Sequence, residues 1–244
     1  MIFSAEDALR AMADLPIVEP ESFVRHHLVV IAPHPDDESL GCGGLIAGCR
    51  AADLPVTIVI VSDGAGSHPG SQLFPGPKLA ELRRGEAVEA AHRLGVPAEA
   101  VHFLDLPDRA VPFHGTEANQ AADRVAGLCA GADVVAVSWR HDPHIDHKAS
   151  FILARDAVRR VPGAGLWEYP IWGLTLPPQT SLDSPPVAGV RVRIDPYLEA
   201  KRRAIAAHAS QTTDLIGDDP DGFRLTPDML ARFEAPEIFL GPVT

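Results

Sequence analysis

Cysteine is scarce in this chain, with three among 244 residues. Three cysteines cannot make a disulfide framework. Cys42 and Cys49 lie about two helical turns apart and Cys129 falls in another helical stretch, so buried free thiols in a reducing compartment are expected. Basic residues are also few: 21 Lys and Arg against 33 Asp and Glu leave a net charge of −12. That balance excludes the basic footprint of a nucleic-acid binder and opposes anchoring to acidic lipid. No apolar run reaches the ~20 residues that cross a bilayer. The opening "MIFSAEDALRAMADLP" has no basic stretch followed by an apolar one, so no secretory signal is expected and the expected location is cytoplasmic. Ser4 with Asp7 three positions on predicts a capped first helix instead.

What the chain does have is alternation. Strands are predicted at 28–32, 56–64, 101–106 and 133–139, with a fifth inside 166–173; helices at 39–53, 78–94, 116–130 and 147–160 fall between them. This β-α order predicts an α/β fold, a mainly parallel sheet covered by helices on both faces. Past residue 174 the pattern breaks into a proline-rich loop over 174–189. There follow "VRVRI", read as an edge strand, a helix over 196–209 with Pro196 near its first turn, and a tail with one short helix and one short strand. No linker divides the chain, so one domain over 1–244 is expected, with a helical N-terminal extension over 1–25.

Ligands of open parallel sheets bind beyond the carboxyl ends of the strands. There the first strand runs into "HPDDE", the second into "SDG", the third into "LPD" and the fourth into "RHDPHIDH". Packed charge is a poor core and a good cation holder. His34 and Asp37, three apart on a tight turn, can aim an imidazole and a carboxylate at one point. The second cluster offers His141, His144 and His147. Two histidines and a carboxylate are a common catalytic zinc set, and the lack of paired cysteines argues against a structural zinc. Asp36 is the candidate to take a proton from water. Whichever of His141 and His144 does not bind metal suits an oxyanion. The plain alternatives are helix-dipole stabilisation by Asp36, Asp37 and Glu38 and a hydrogen-bonded core role for His34.

These motifs carry a resemblance. "PHPDDE" after the first strand, "HIDH" after the fourth, "RRGEAVEAAHRLGV" and "KRRAIAAHASQ" resemble the LmbE-like, or PIG-L, N-acetylglucosaminyl deacetylases over most of residues 28–211. The resemblance implies a Rossmann-like three-layer fold and a zinc-dependent hydrolase that removes acyl groups from amino sugars or related amides. It implies one Zn2+ held by His34, Asp37 and His147, and Asp36 as general base. His144 would stabilise the tetrahedral intermediate with Asp146 as its orienting partner, and Arg83 would lie near the substrate beside Arg84.

Asp63, Asp108 and His141 are further candidates for substrate contact, although Asp63 and Asp108 also suit turns. Trp139, Tyr169 and Trp172 are read as packing aromatics first, and His208 and Gln211 as closing the rim. Loops 64–77 and 174–189 are expected to shape specificity, and Gly41, Gly43 and Gly44 to let the chain turn closely beneath the site. These glycines do not form G-x-G-x-x-G, which argues against a nucleotide site. The expected partner is a small acylated amino sugar or glycoconjugate, with no nucleic acid and no membrane span; a homo-oligomer is compatible with the sequence. Two rival readings keep the fold: a metal-assisted reaction such as hydration of a small unsaturated acid, and a non-catalytic sugar-binding module.

Overall fold

In the computed structural model, residues 3–183 and 188–243 are described. The elements in chain order are β1 (Phe3–Ser4), α1 (Ala5–Ala13), β2 (Ile17–Val18), α2 (Pro20–Phe23), β3 (Leu28–Ala32), α3 (Asp37–Ala51), β4 (Val56–Ser62), α4 (Gly76–Arg93), β5 (Val101–Leu106) and α5 (Gly115–Leu128). They continue with β6 (Val134–Ser138), α6 (Ile145–Val158), β7 (Gly165–Tyr169), β8 (Ser181–Leu182), β9 (Gly189–Val192), α7 (Leu198–Ala207), α8 (Ala209–Thr212), α9 (Pro227–Leu230) and β10 (Glu237–Val243).

The central sheet has eight strands in the order β2-β9-β10-β7-β6-β3-β4-β5. β3 pairs in parallel with both β4 and β6, and β4–β5 and β6–β7 are parallel as well. β10 is antiparallel to β7 and to β9. Every residue of β3 is buried because the sheet is covered on both sides. Leu28 and Val30 point into a cluster with Leu45 of α3, Ala90 of α4 and Ala204 of α7. Val29 and Ile31 point into a second cluster with Val125 of α5 and Phe151 of α6. A two-sided strand has no polar face, hence the unbroken run "LVVIA" rather than an alternating one.

The chain leaves β3 toward β4 on one side and returns to β6 on the other. The order therefore reverses between β3 and β6, and a crevice opens beyond their carboxyl ends. "HPDDE" and "HDPHIDH" are the segments that follow those two strands. The sheet topology alone brings residues more than a hundred positions apart to one place.

Several local expectations are revised. Gly41 and Gly44 do not turn the chain beneath the site; they lie inside α3. A Cβ on Gly41 would sit 2.3 Å from the Tyr169 ring, and one on Gly44 2.2 Å from Ile194. They are small so that β7 and the segment before α7 can press on the helix. "VRVRI" is not the edge: β9 has β10 on one side and the two-residue β2 on the other. The N-terminal extension is not purely helical, because β1 pairs with β8 and β2 joins the main sheet. α1 starts as expected, with Ser4 Oγ accepting the Asp7 N–H at 3.1 Å and the Asp7 carboxylate accepting the Ser4 N–H. Pro196 lies in a 3-10 turn, and the helix beyond it stops at Ala207, with α8 restarting at Ala209. The 174–189 loop holds β8, and its residues 184–187 lie outside the described residues. All three cysteines are buried free thiols, and burial pushes Cys49 and Cys129 up to about 12.

Candidate metal centre

Asp36 sits at the step from β3 into α3, with φ of 147°, a region a non-glycine residue rarely enters. Glu38 and Arg83 hold it there. Its N–H donates to Glu38 Oε2 at 3.0 Å. Glu38, fully buried, is itself fixed by the Ser39 hydroxyl at 2.7 Å and by His208 Nε2 at 3.0 Å. The Arg83 guanidinium donates to Pro35 O at 2.7 Å, Gly64 O at 2.9 Å and Asp36 Oδ2 at 3.2 Å. Burial pushes the Asp36 carboxyl up to about 6; Arg83 works against that rise and Asp37 adds to it.

One residue on, Asp37 Oδ2 accepts the His34 N–H at 3.0 Å. The same oxygen lies 3.2 Å from His34 Nδ1 and 3.3 Å from His147 Nε2. Against burial, His147 and His34 hold the Asp37 carboxyl far below the usual range. On its other side His147 presents Nδ1 to Asp142 Oδ2 at 2.8 Å. Asp142 is fully buried and is anchored by the N–H groups of Ile171 at 3.1 Å and Gly173 at 2.6 Å. Burial works to lower the His147 pKa, but Asp37 and Asp142 outweigh it and hold it up to about 9.

His147 Nε2 is buried and has no hydrogen-bond partner among the described residues. An imidazole with Nδ1 on a carboxylate and a free Nε2 facing a second carboxylate is the donor arrangement metal-binding histidines adopt. It attracts a proton or a cation to the same point. The residues therefore fit a bound divalent ion. Ligand-type atoms of His34, His144 and His147 lie within 4.8 Å of one another, as do those of His34, Asp108, His144 and Asp146. In the second group the carboxylates already serve the backbone: Asp146 accepts the Arg109 N–H at 2.6 Å and the Val111 N–H at 3.2 Å, and Asp108 accepts the Gly66 N–H at 2.8 Å. The orphaned Nε2 beside Asp37 is the stronger cation pole.

His144 caps α6, its Nδ1 accepting the Asp146 N–H at 3.2 Å. That bond leaves the proton of the neutral ring on Nε2. Burial lowers the His144 pKa, and His34 and His147 lower it further. Asp146 does not orient His144 through its side chain, as the resemblance implied. Its carboxylate stands 4.0 Å from His144 Nδ1 and meets His34 Nε2 at 3.3 Å instead. Because the Asp146 N–H caps the His144 ring, its side chain leaves the helix start on the other side, toward the turn after β5.

The cavity above these groups has a volume of about 150 Å³ and is lined by His34, Asp36, Asp37, Arg83, Asp108 and His144, with Gly66, Ser67, Arg109, Trp172, Gln211 and Phe223 around them. Two of the substrate-contact candidates are not among the lining residues. Asp63 Oδ1 accepts the N–H groups of Ala65 at 3.0 Å and Asp108 at 3.2 Å, so it shapes the turn. His141 packs on Trp139 with ring centroids 5.0 Å apart. Arg83 rather than Arg84 points inward; Arg84 pairs with Asp105 and stacks on Phe103 at 4.0 Å. Loop 64–77 contributes Gly66 and Ser67, whereas the 174–189 loop contributes no lining residue among those described. Its place is taken by Trp172 and by Phe223, packed edge-on at 5.5 Å.

Sequence reasoning missed Asp142 as the partner of His147, although an aspartate five positions before a ligand-type histidine was visible. It also missed the purpose of Glu86, whose carboxylate accepts the Ser210 N–H at 2.7 Å and hydroxyl at 2.6 Å and so docks α8 under the site. Arg109 and Phe223 carried no motif.

Fold and site together define a doubly wound α/β protein with a His/Asp group that could hold a metal ion at its topological switch point. The chain belongs to the PIG-L family, described as GlcNAc-PI de-N-acetylase, whose profile matches residues 29–158. A probable N-acetyl-alpha-D-glucosaminyl L-malate deacetylase 2 of Bacillus cereus is 25% identical over 208 residues, covering 80% of this chain and 88% of the relative. The 1D-myo-inositol 2-acetamido-2-deoxy-alpha-D-glucopyranoside deacetylase of Saccharomonospora viridis is 28% identical, covering 87% of this chain and 94% of the relative. Among solved structures, the N,N'-diacetylchitobiose deacetylase of Pyrococcus horikoshii superposes with a TM-score of 0.66 at 22% identity, over 91% of this chain and 84% of that one. The 4-carboxy-2-hydroxymuconate hydratase of Pseudomonas putida reaches 0.60 at 19% identity, over 86% and 82%. At such identities these two structures speak for the fold.

Proposed function

We propose that this protein is a zinc-dependent hydrolase that removes an acyl group, acetyl foremost, from the amide nitrogen of an amino sugar conjugate. The observation that carries the reading is the orphaned, buried Nε2 of His147 facing Asp37 and His34, with the carboxylate of Asp36 one residue away. The names of the two curated relatives share an N-acetylated glucosamine unit and differ in what is attached to it. That supports the acetamido sugar as the part the site recognises. The cavity, about 150 Å³, has room for a small group only. This suits the acetamido end of a substrate, with the remainder at the mouth.

His34, Asp37 and His147 would hold the zinc ion, which when bound supplies Lewis acidity toward water and a carbonyl oxygen. Asp36, braced by Arg83 and Glu38, takes a proton from the attacking water. Its elevated pKa suits a group that must accept a proton and give it back near neutral pH. His144 presents Nε2–H to the oxyanion that develops on the acyl carbon's oxygen. The Asp146 N–H on Nδ1 fixes that tautomer. As the amide C–N bond breaks, the proton held by Asp36 passes to the leaving nitrogen, giving a free amine and a carboxylate.

Hydration is the second reading, because a hydratase shares the fold. The assay that separates them measures acetate released from a panel of N-acetylated sugars, with and without chelator, beside loss of absorbance from conjugated unsaturated acids. Acetate release that chelation abolishes supports the hydrolase. Full activity after thorough zinc removal overturns the metal assignment, and turnover of unsaturated acids alone overturns the hydrolase.

A further inference from the structure

Arg109 follows Asp108 in the turn after β5. It lines the cavity mouth, and it is exposed. Its backbone has φ of 65°, a left-handed conformation that a non-glycine residue keeps only where its surroundings hold it. Here the holder is Asp146, whose Oδ2 accepts the Arg109 N–H at 2.6 Å. That same oxygen lies 3.3 Å from His34 Nε2. The direction in which the Arg109 side chain leaves the backbone is thereby tied to the metal-ligand candidate itself. Its stem passes over Gly66, where an added Cβ would come 3.4 Å from Arg109 Cδ.

Among the described residues the Arg109 guanidinium has no carboxylate or carbonyl partner. Other arginines around this end of the sheet do: Arg83 pairs with Asp36, Arg84 with Asp105 and Arg140 with Glu168. In a chain with a net charge of −12, a cation left unpaired at the mouth of the site is out of pattern. A planar guanidinium is also the side chain best shaped to take an oxyanion through two parallel hydrogen bonds.

We infer that Arg109 recognises an oxyanion, carboxylate or phosphate, on the part of the substrate that remains outside the cavity, so that the preferred substrate is an anionic acylated amino sugar conjugate. This rests on the hydrolase reading. The cavity holds the acyl amide end, and Arg109 stands where the attached group must lie. The anion is read at the mouth, away from Asp36 and Asp37.

The test uses the zinc-loaded protein and three N-acetylglucosaminides: the neutral methyl glycoside, one attached to a hydroxy acid and one attached to a phosphate ester. The parent is expected to favour at least one anionic substrate by about tenfold or more in kcat/KM, and which one identifies the anion. Arg109→Gln is expected to lower that anionic-to-neutral ratio by about tenfold, chiefly through KM, and Arg109→Lys to keep an intermediate ratio. Added salt should erode the parent's preference, because the group is exposed. A parent ratio near one, or a ratio unchanged in Arg109→Gln, overturns the inference. If no substrate releases acetate, the hydrolase reading fails on its own. Calorimetric titration of the anionic glycosides into parent and Arg109→Gln then decides: weaker binding by the variant upholds anion recognition, and equal or absent binding in both overturns it.

Discussion

Asp142 and His147 form a buried hydrogen bond of 2.8 Å on the side of the imidazole away from Asp37. It fixes the ring and leaves Nε2 as the free lone pair of the neutral form. Asp142 itself is locked by backbone N–H groups of the segment after β7, so His147 is oriented by an element outside its own helix.

Asp142→Asn should therefore weaken zinc affinity by about 10–100-fold, the usual cost of losing a carboxylate behind a metal-bound histidine. Chelator competition reads this directly. An affinity equal to the parent's would show that His147 does not depend on Asp142 as a ligand must.

Asp36 acts as a carboxylate in the proposed reaction, and burial holds its pKa up to about 6. That value is for the metal-free site, and a cation beside Asp37 favours the ionised form, so kcat/KM of the zinc-loaded protein should fall along an acidic limb at or below about 6, never above it. Asp36→Asn should retain zinc and lose about 10²–10⁴-fold in kcat, the range for a positioned base. A variant that turns over at the parent rate removes Asp36 from the mechanism.

Arg83 lowers the Asp36 pKa and braces its backbone through Pro35. Arg83→Gln should move the acidic limb of the pH–rate profile upward and reduce kcat at neutral pH. It also leaves Pro35 O and Gly64 O short of a donor, at about 1–3 kcal/mol for each unsatisfied buried group. A limb that stays in place would mean that the guanidinium serves the fold alone.

The main strands and helices were legible because the chain gives each a strong local signal: "LVVIA" and "VTIVIVS" for buried strands, glycine or proline where helices stop or start. Part of the cluster was legible too, since His34, Asp36 and Asp37 share one turn, whereas spacing left His141, His144 and His147 open and only the family resemblance singled out His147. What stayed hidden were relations that sequence spacing does not encode. Asp146 is two residues from His144 yet serves His34, because a helix start sends its backbone and side chain in opposite directions. Phe223 reaches the cavity because its segment is tied to loop 64–77: its own N–H donates to Ser67 O, Asp218 accepts from Ser71 Oγ and Asp219 from the Gly70 N–H, each at 2.8 Å. The rank of "VRVRI" within the sheet depends on β2, two residues long and without a periodic signal.

Below the site, Lys201 Nζ and Glu237 Oε1 meet at 2.7 Å with side chains 1% and 3% exposed. Glu237 also accepts the N–H groups of Gly44 at 2.7 Å and Leu45 at 2.8 Å, joining β10 and α7 to the middle of α3, the helix that carries Asp37. Glu237→Ala strands a buried ammonium and two amides, and should cost about 3–5 kcal/mol in urea unfolding. Lys201→Met combined with Glu237→Ala removes the stranded charge and should recover a large part of that loss, since a buried pair exchanged for apolar groups is often near neutral. The two variants separate desolvation from packing. If the double variant is no more stable than Glu237→Ala, the loss lies in the amides of α3, and the ion pair itself contributes little.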